Sequence, residues 1–90
     1  MAVLMIAEVA GLTEDVYAGM VNGMTPAMRA SKGFISHAGG PSPSGGWRVV
    51  EVWETQEDSE AWFDANVKPN LPPGVTPDRK FHPLHTAFTK

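Results

Sequence analysis

The chain opens on an apolar run, Met1–Val9 (MAVLMIAEV), rich in Val, Leu and Ile and closed by Gly11, the pattern of a strand covered on both faces. It reads as a first, central strand. Thr13 is placed to cap a helix whose first turn carries Glu14 and Asp15, where the positive end of the helix dipole favours acids. Val16, Tyr17, Met20, Val21 and Met24 follow at helical spacing, and Thr25-Pro26 predicts fraying. Gly33–Gly39 (GFISHAG) reads as a second strand, and the Gly, Pro and Ser of 40–45 as a turn. Gly46–Glu54 (GWRVVEVWE) carries the strongest strand signal. Trp47, Val49, Glu51 and Trp53 alternate with Arg48, Val50, Val52 and Glu54, and neither face is plainly polar. Thr55 resembles a second N-cap, with Trp62, Phe63 and Val67 at helical spacing and a stop before Pro69. After a proline-rich connection over 70–78, Lys80–Phe88 (KFHPLHTAF) reads as a last strand, kept at an edge by Pro83.

The order β-α-β-β-α-β has few compact solutions, because right-handed crossovers place both helices on one side of the sheet. The expected class is α+β: a ferredoxin-like, four-stranded antiparallel sheet with two helices on one face. Ninety residues suffice for one domain over 1–90. The sheet is apolar on both sides yet has helices for only one. A second copy is therefore expected on the bare face, making a homodimer.

Composition narrows the partners. Seven Lys and Arg against ten Asp and Glu give a net charge of −3, the wrong sign for gathering phosphates. The element order also occurs in RNA-recognition domains, but the first strand lacks an aromatic and the third lacks their basic-aromatic signature. Nucleic acid is not expected. The first ten residues have no basic leader and are cut by Glu8, so neither a signal peptide nor a membrane anchor is expected. The absence of cysteine suits a reducing cytoplasm and removes disulfide, thiolate-metal and cysteine-nucleophile chemistry.

The run Gly46–Thr55 followed by Glu60-Ala61-Trp62-Phe63 resembles the strand, Glu-x-Trp-Glu-Ser/Thr and helix segment of the dimeric α/β-barrel superfamily. Within it, the segment is similar to the antibiotic biosynthesis monooxygenase-like group. The resemblance implies two ferredoxin-like subunits pairing their sheets, each with a small-molecule pocket between sheet and helices. It implies activities that range from cofactor-independent oxygenation of polyketide-derived aromatics to haem degradation, cyclisation and isomerisation, and it puts Trp53 at a pocket-lining position. It also shows departures. Val49 stands where the aromatic oxygenases carry an asparagine, the first strand has no asparagine and the second helix no histidine. Haem degradation is disfavoured, and the oxygenase mechanism does not carry over residue for residue.

Imidazole is the side chain that exchanges protons near neutrality, so a general base is sought among His37, His82 and His85. His82 and His85 point to opposite faces of a strand, and Pro83 opposes the helix that would align them, so no metal site is expected. The face of His37 is open: pairing with Val49 puts it beside Glu51 and Trp53, pairing with Arg48 puts it on the far side. Glu51, on a central strand, needs a partner: Arg29, Lys32 or Arg79 first, or a histidine that it orients. Trp53, Trp62, Trp47, Phe63 and Tyr17 either fill the core or line a flat apolar cleft.

These residues support a cofactor-free monooxygenase, or a related cyclase or isomerase, on a small aromatic or polyketide-like substrate. His37 or His85 would be its base, Glu51 would orient the base, and Trp53 and Trp62 would form walls. The alternative is a non-catalytic dimer of the same fold that binds a small apolar molecule or assists a partner protein.

Overall fold

Alternation of side chains decides the architecture, since each strand must send one set toward the helices and the other away from them. In the computed structural model, which describes Met1–Lys90, β1 (Val3–Val9), α1 (Glu14–Arg29), β2 (Phe34–Pro41), β3 (Trp47–Trp53), α2 (Gln56–Trp62) and β4 (Asp78–Pro83) follow in the expected order. The strands form one antiparallel sheet, ordered β2-β3-β1-β4, so the two most apolar strands are central. This is the ferredoxin-like α+β fold.

Both helices start as the sequence indicates. Thr13 Oγ1 accepts the Val16 amide at 3.3 Å and Thr55 Oγ1 the Asp58 amide at 3.1 Å. Each cap occupies a backbone donor that the helix cannot satisfy itself, typically worth about 1 kcal/mol. The expected fraying at Thr25-Pro26 does not occur: α1 continues through Pro26 to Arg29. Thr25 Oγ1 donates to the Val21 carbonyl at 2.6 Å, and Met28 beyond the proline is buried against Trp53 and Trp62, so tertiary packing overrides the missing amide. The second helix is α-helical only to Trp62; a π-helical turn over Phe63–Val67 and a 3₁₀ turn over Lys68–Asn70 complete it.

Two further boundaries move. β2 runs on to Pro41, leaving a short turn in which the Ser42 amide donates to the Gly46 carbonyl at 3.1 Å. β4 begins at Asp78 and ends at Pro83, and the last pairing is the Leu84 amide donating to the Ala2 carbonyl at 2.8 Å. The chain then leaves the sheet.

The helical side of the sheet holds two separate clusters: Met5, Ala7, Val9, Leu12 and Trp47 at one end, and Met28, Trp53 and Trp62 at the other. The opposite side carries Leu4, Ile6, Val50 and Val52, all half-exposed, with Leu4 opposite Val52 and Ile6 opposite Val50. No helix covers them. At the rim, Glu8 accepts from Arg48 Nε and, at 2.6 Å, from the buried Ser42 hydroxyl; chiefly the Ser42 bond, and then Arg48, holds the Glu8 carboxyl below its usual range.

The hairpin turn offers a test of the packing. Gly45 and Gly46 both have positive φ, at 96° and 73°, but a Cβ on Gly45 meets open space, whereas one on Gly46 overlaps the Val9 carbonyl and Ala10 of β1's exit. Gly45→Ala should cost only the left-handed strain, about 1–2 kcal/mol, and Gly46→Ala about 3 kcal/mol or more. Urea unfolding followed by tryptophan fluorescence measures both, and equal midpoints would contradict this packing.

Candidate functional site

Between the two core clusters lies a cavity of about 520 Å³, roofed by α1 and the second helix and floored by the sheet. Its walls are mainly apolar, with Met5, Met20, Met24 and Met28 prominent, and its polar groups include Tyr17, His37, Glu51 and Arg79.

The third strand delivers Glu51 to this face between Val49 and Trp53, and the hairpin places His37 directly opposite it. The expected partners, Val49 or Arg48, are both displaced because β2 continues through Gly40 and Pro41, which shifts the pairing by two residues from the Val49 alternative and keeps the same face. A bulge at Ile35 then lets Phe34 and His37, three residues apart, both reach the helical side.

Glu51 is buried, and each of its oxygens takes one donor. His37 Nδ1 lies 2.7 Å from Oε2, and the Trp53 indole N–H donates to Oε1 at 2.9 Å. A carboxylate only accepts, so Nδ1 carries a proton, and in the neutral form of His37 Nε2 is then an acceptor. The Tyr17 hydroxyl occupies that acceptor at 2.6 Å. The result is a continuous chain, Tyr17–His37–Glu51–Trp53, drawn from α1, β2 and β3. The first-named partners of Glu51 are therefore replaced by the histidine. Lys32 lies instead 3.9 Å from Asp58, and Arg79 stacks on aromatic rings.

Arg79, one of the partners expected for Glu51, comes to the cavity without bonding it. The expected start of the last strand is Lys80, whereas β4 begins at Asp78 and alternation sends Arg79 and Phe81 inward. Its guanidinium sits 4.0 Å above the Phe63 ring and 5.2 Å from that of Phe81, with Nε and Nη2 buried and lacking hydrogen-bond partners. Burial lowers its pKa from the ordinary value, against the pull of Glu60, Glu51 and Asp64. It is a cation with free donors beside an apolar cavity.

Other expected site residues divide. Tyr17, Trp62 and Phe63 line the cavity. Trp53 does not: it is wholly buried beneath Phe34 and Trp62, and it acts on the site through its bond to Glu51. Trp47 is core as well, its ring 5.0 Å from that of Tyr17. His85 is not at the site. The ladder ends at Pro83, so His85 lies exposed, bonded to the neighbouring Thr86 hydroxyl at 2.7 Å, while His82 projects from the uncovered face opposite Leu4.

Tyr17 is the sole tyrosine, so its ionisation can be followed alone. Desolvation, and then the negative charge of Glu51, raise its pKa above the ordinary tyrosine value; the Trp47 indole, short of hydrogen-bond geometry, opposes this more weakly. Stability from keeping this phenol neutral is whole below about pH 10 and is lost as pH rises through the folded pKa. Absorbance at 295 nm should show a midpoint above that of the unfolded chain. Glu51→Gln should lower it only in part, since desolvation is the larger cause.

No family model matches the sequence, and no curated protein matches it. Solved structures do match its fold. SnoaB, a cofactor-independent oxygenase from Streptomyces nogalater, aligns with a TM-score of 0.65 at 9% identity over 99% of this chain and 98% of that one. A candidate monooxygenase from Shewanella loihica PV-4 aligns at 0.59 and 11% identity over 96% of each chain. Rv0793 from Mycobacterium tuberculosis aligns at 0.59 and 20% identity over 98% of this chain and 100% of its own. At these identities the likeness establishes architecture: the chain shares its fold with these three proteins.

Proposed function

We propose that the protein is a cofactor-free monooxygenase acting on a small, planar, enolisable aromatic. The observation that carries this reading is the His37–Glu51 pair, 2.7 Å apart, at the wall of a largely apolar cavity. An imidazole backed by a carboxylate accepts a proton, and Glu51 stabilises the imidazolium that forms. The electron pair left on the substrate becomes an enolate, whose negative charge the Arg79 guanidinium at the cavity wall can stabilise. The enolate passes one electron to dioxygen, the two radicals join through a carbon–oxygen bond, and the peroxide loses water as its O–O bond breaks. In sum, CH₂ and O₂ give C=O and H₂O, with dioxygen taking the four electrons. The reaction so written requires no bound cofactor. A cyclase or isomerase would share the proton transfer and omit the oxygen.

Anthrone, planar and enolisable at its CH₂, is a suitable probe. Wild-type protein should accelerate its conversion to anthraquinone, and His37→Ala should lower that acceleration by about 10²- to 10⁴-fold while leaving quenching of tryptophan fluorescence by the ligand within twofold. Undiminished turnover in His37→Ala would refute the assignment of the base. Binding without acceleration in the wild type would favour the alternative, a binding or accessory protein.

The same reading includes a cytoplasmic homodimer through the uncovered sheet face; no helix is long and apolar enough to cross a membrane. Leu4, Ile6, Val50 and Val52 form its apolar centre, and Lys80, Glu8 and Arg48 its charged rim. Sedimentation at micromolar concentration should give a dimer, and Ile6→Lys a monomer. A stable lone wild-type subunit would overturn the pairing.

A further inference from the structure

We propose that Tyr17 is the catalytic residue that exchanges a proton with the cavity's occupant, and that His37 and Glu51 act through it. The inference rests on the function proposed above and assigns its proton transfer to a different atom. Both ring nitrogens of His37 are committed, Nδ1 to Glu51 and Nε2 to the Tyr17 hydroxyl at 2.6 Å. The imidazole has no lone pair left for a ligand. The phenolic oxygen has: with His37 neutral it donates its one proton to Nε2, and no protein donor meets hydrogen-bond geometry at its acceptor positions, the neighbouring Trp47 indole N–H included. Tyr17 and His37 line the same cavity, so a ligand C–H or O–H meets the chain at its phenol end.

The strand opposite is shaped for this contact. Gly39 sits within β2, where glycine typically costs stability, and a Cβ there would overlap the Tyr17 hydroxyl and its ring carbon Cζ. The missing side chain gives Tyr17 its path across the strand to His37, two residues away.

The step balances without an oxidant. The substrate's proton forms a bond to the Tyr17 oxygen as the Tyr17 proton leaves for His37 Nε2. The substrate keeps the electron pair of its broken bond, and the positive charge rests on an imidazolium held by Glu51. Reversal returns the proton by the same route.

Deuterium exchange into the CH₂ of anthrone, measured under nitrogen by mass spectrometry, isolates this step from oxygen chemistry. Wild-type protein should accelerate exchange above the buffer rate. Tyr17→Phe, which keeps the ring and its packing, should reduce that acceleration by about 10²- to 10⁴-fold with anthrone binding within twofold. Gly39→Ala should do the same while retaining the phenol, and its midpoint at 295 nm should fall toward that of the unfolded chain as Tyr17 is displaced. Tyr17→Phe exchanging at or above the wild-type rate would overturn the relay, showing that the substrate displaces the phenol and meets His37 directly. That outcome leaves the proposed function standing. Wild-type protein that binds anthrone without accelerating exchange would overturn both.

Discussion

A carboxylate buried in the middle of a small sheet is the constraint around which this molecule is arranged. Removing a charged group from water is costly unless its lone pairs are met, and Glu51 is met on both oxygens by donors from two directions. One donor is Trp53, two residues along the same strand, and the other is His37, across the ladder. The first ties the site to the Trp53–Trp62–Met28 cluster, and the second fixes how β2 lies on β3. Loss of either partner would leave a charge stranded at the wall of the cavity, so the geometry of the His37–Glu51 pair is enforced by the same energetics that hold the sheet.

The core is accordingly divided. Protein interiors are usually filled, yet here two compact clusters stand at opposite ends of the sheet with a cavity of about 520 Å³ between them. The space is lined by flexible methionine side chains and bounded by rigid aromatic ones, a combination that suits the planar apolar ligand proposed above without demanding one shape. Arg79 extends the logic. Its guanidinium lies close to the rings of Phe63 and Phe81, which offer a cation–π environment but no hydrogen-bond acceptors, so a positive charge stands at the cavity wall with two buried donors unpartnered.

Much of this was legible in the residues and some of it was not, for reasons that can be named. Strand alternation and the two threonine caps defined the elements, because they act within a few residues. The density of Val and Trp in Gly46–Glu54 marked the strand that carries the carboxylate. Boundaries set by tertiary contact were misread: helix α1 survives Pro26 because Met28 is anchored beyond it, and β2 outlasts its glycines because Pro41 still pairs with Trp47. Those two extra residues of β2 decide that His37 meets Glu51, a shift that no local signal announces. Trp53 and Trp47 were candidates for pocket walls and proved to be core, since an aromatic residue on an inward face can stand beneath a site as readily as beside it. The role of Tyr17 required three elements in space together. Gly39, whose missing side chain makes room for the Tyr17 hydroxyl, read only as the end of a strand.

The register of β3 couples the two faces. Side chains alternate with a period of two, so a slip by one residue would exchange every inward group for an outward one. Glu51 would leave the cavity for the uncovered face, and Val50 or Val52 would enter it. The chemistry would lose its carboxylate, and the apolar patch formed with Leu4 and Ile6 would acquire a charge at its centre. The hydrogen bond between His37 and Glu51 opposes that slip from one side of the strand. Pairing with a second copy, as proposed, would oppose it from the other, because only the native register presents an unbroken apolar stripe. On this view the catalytic wall and the association surface are selected by a single structural choice, and neither face can be altered without cost to the other.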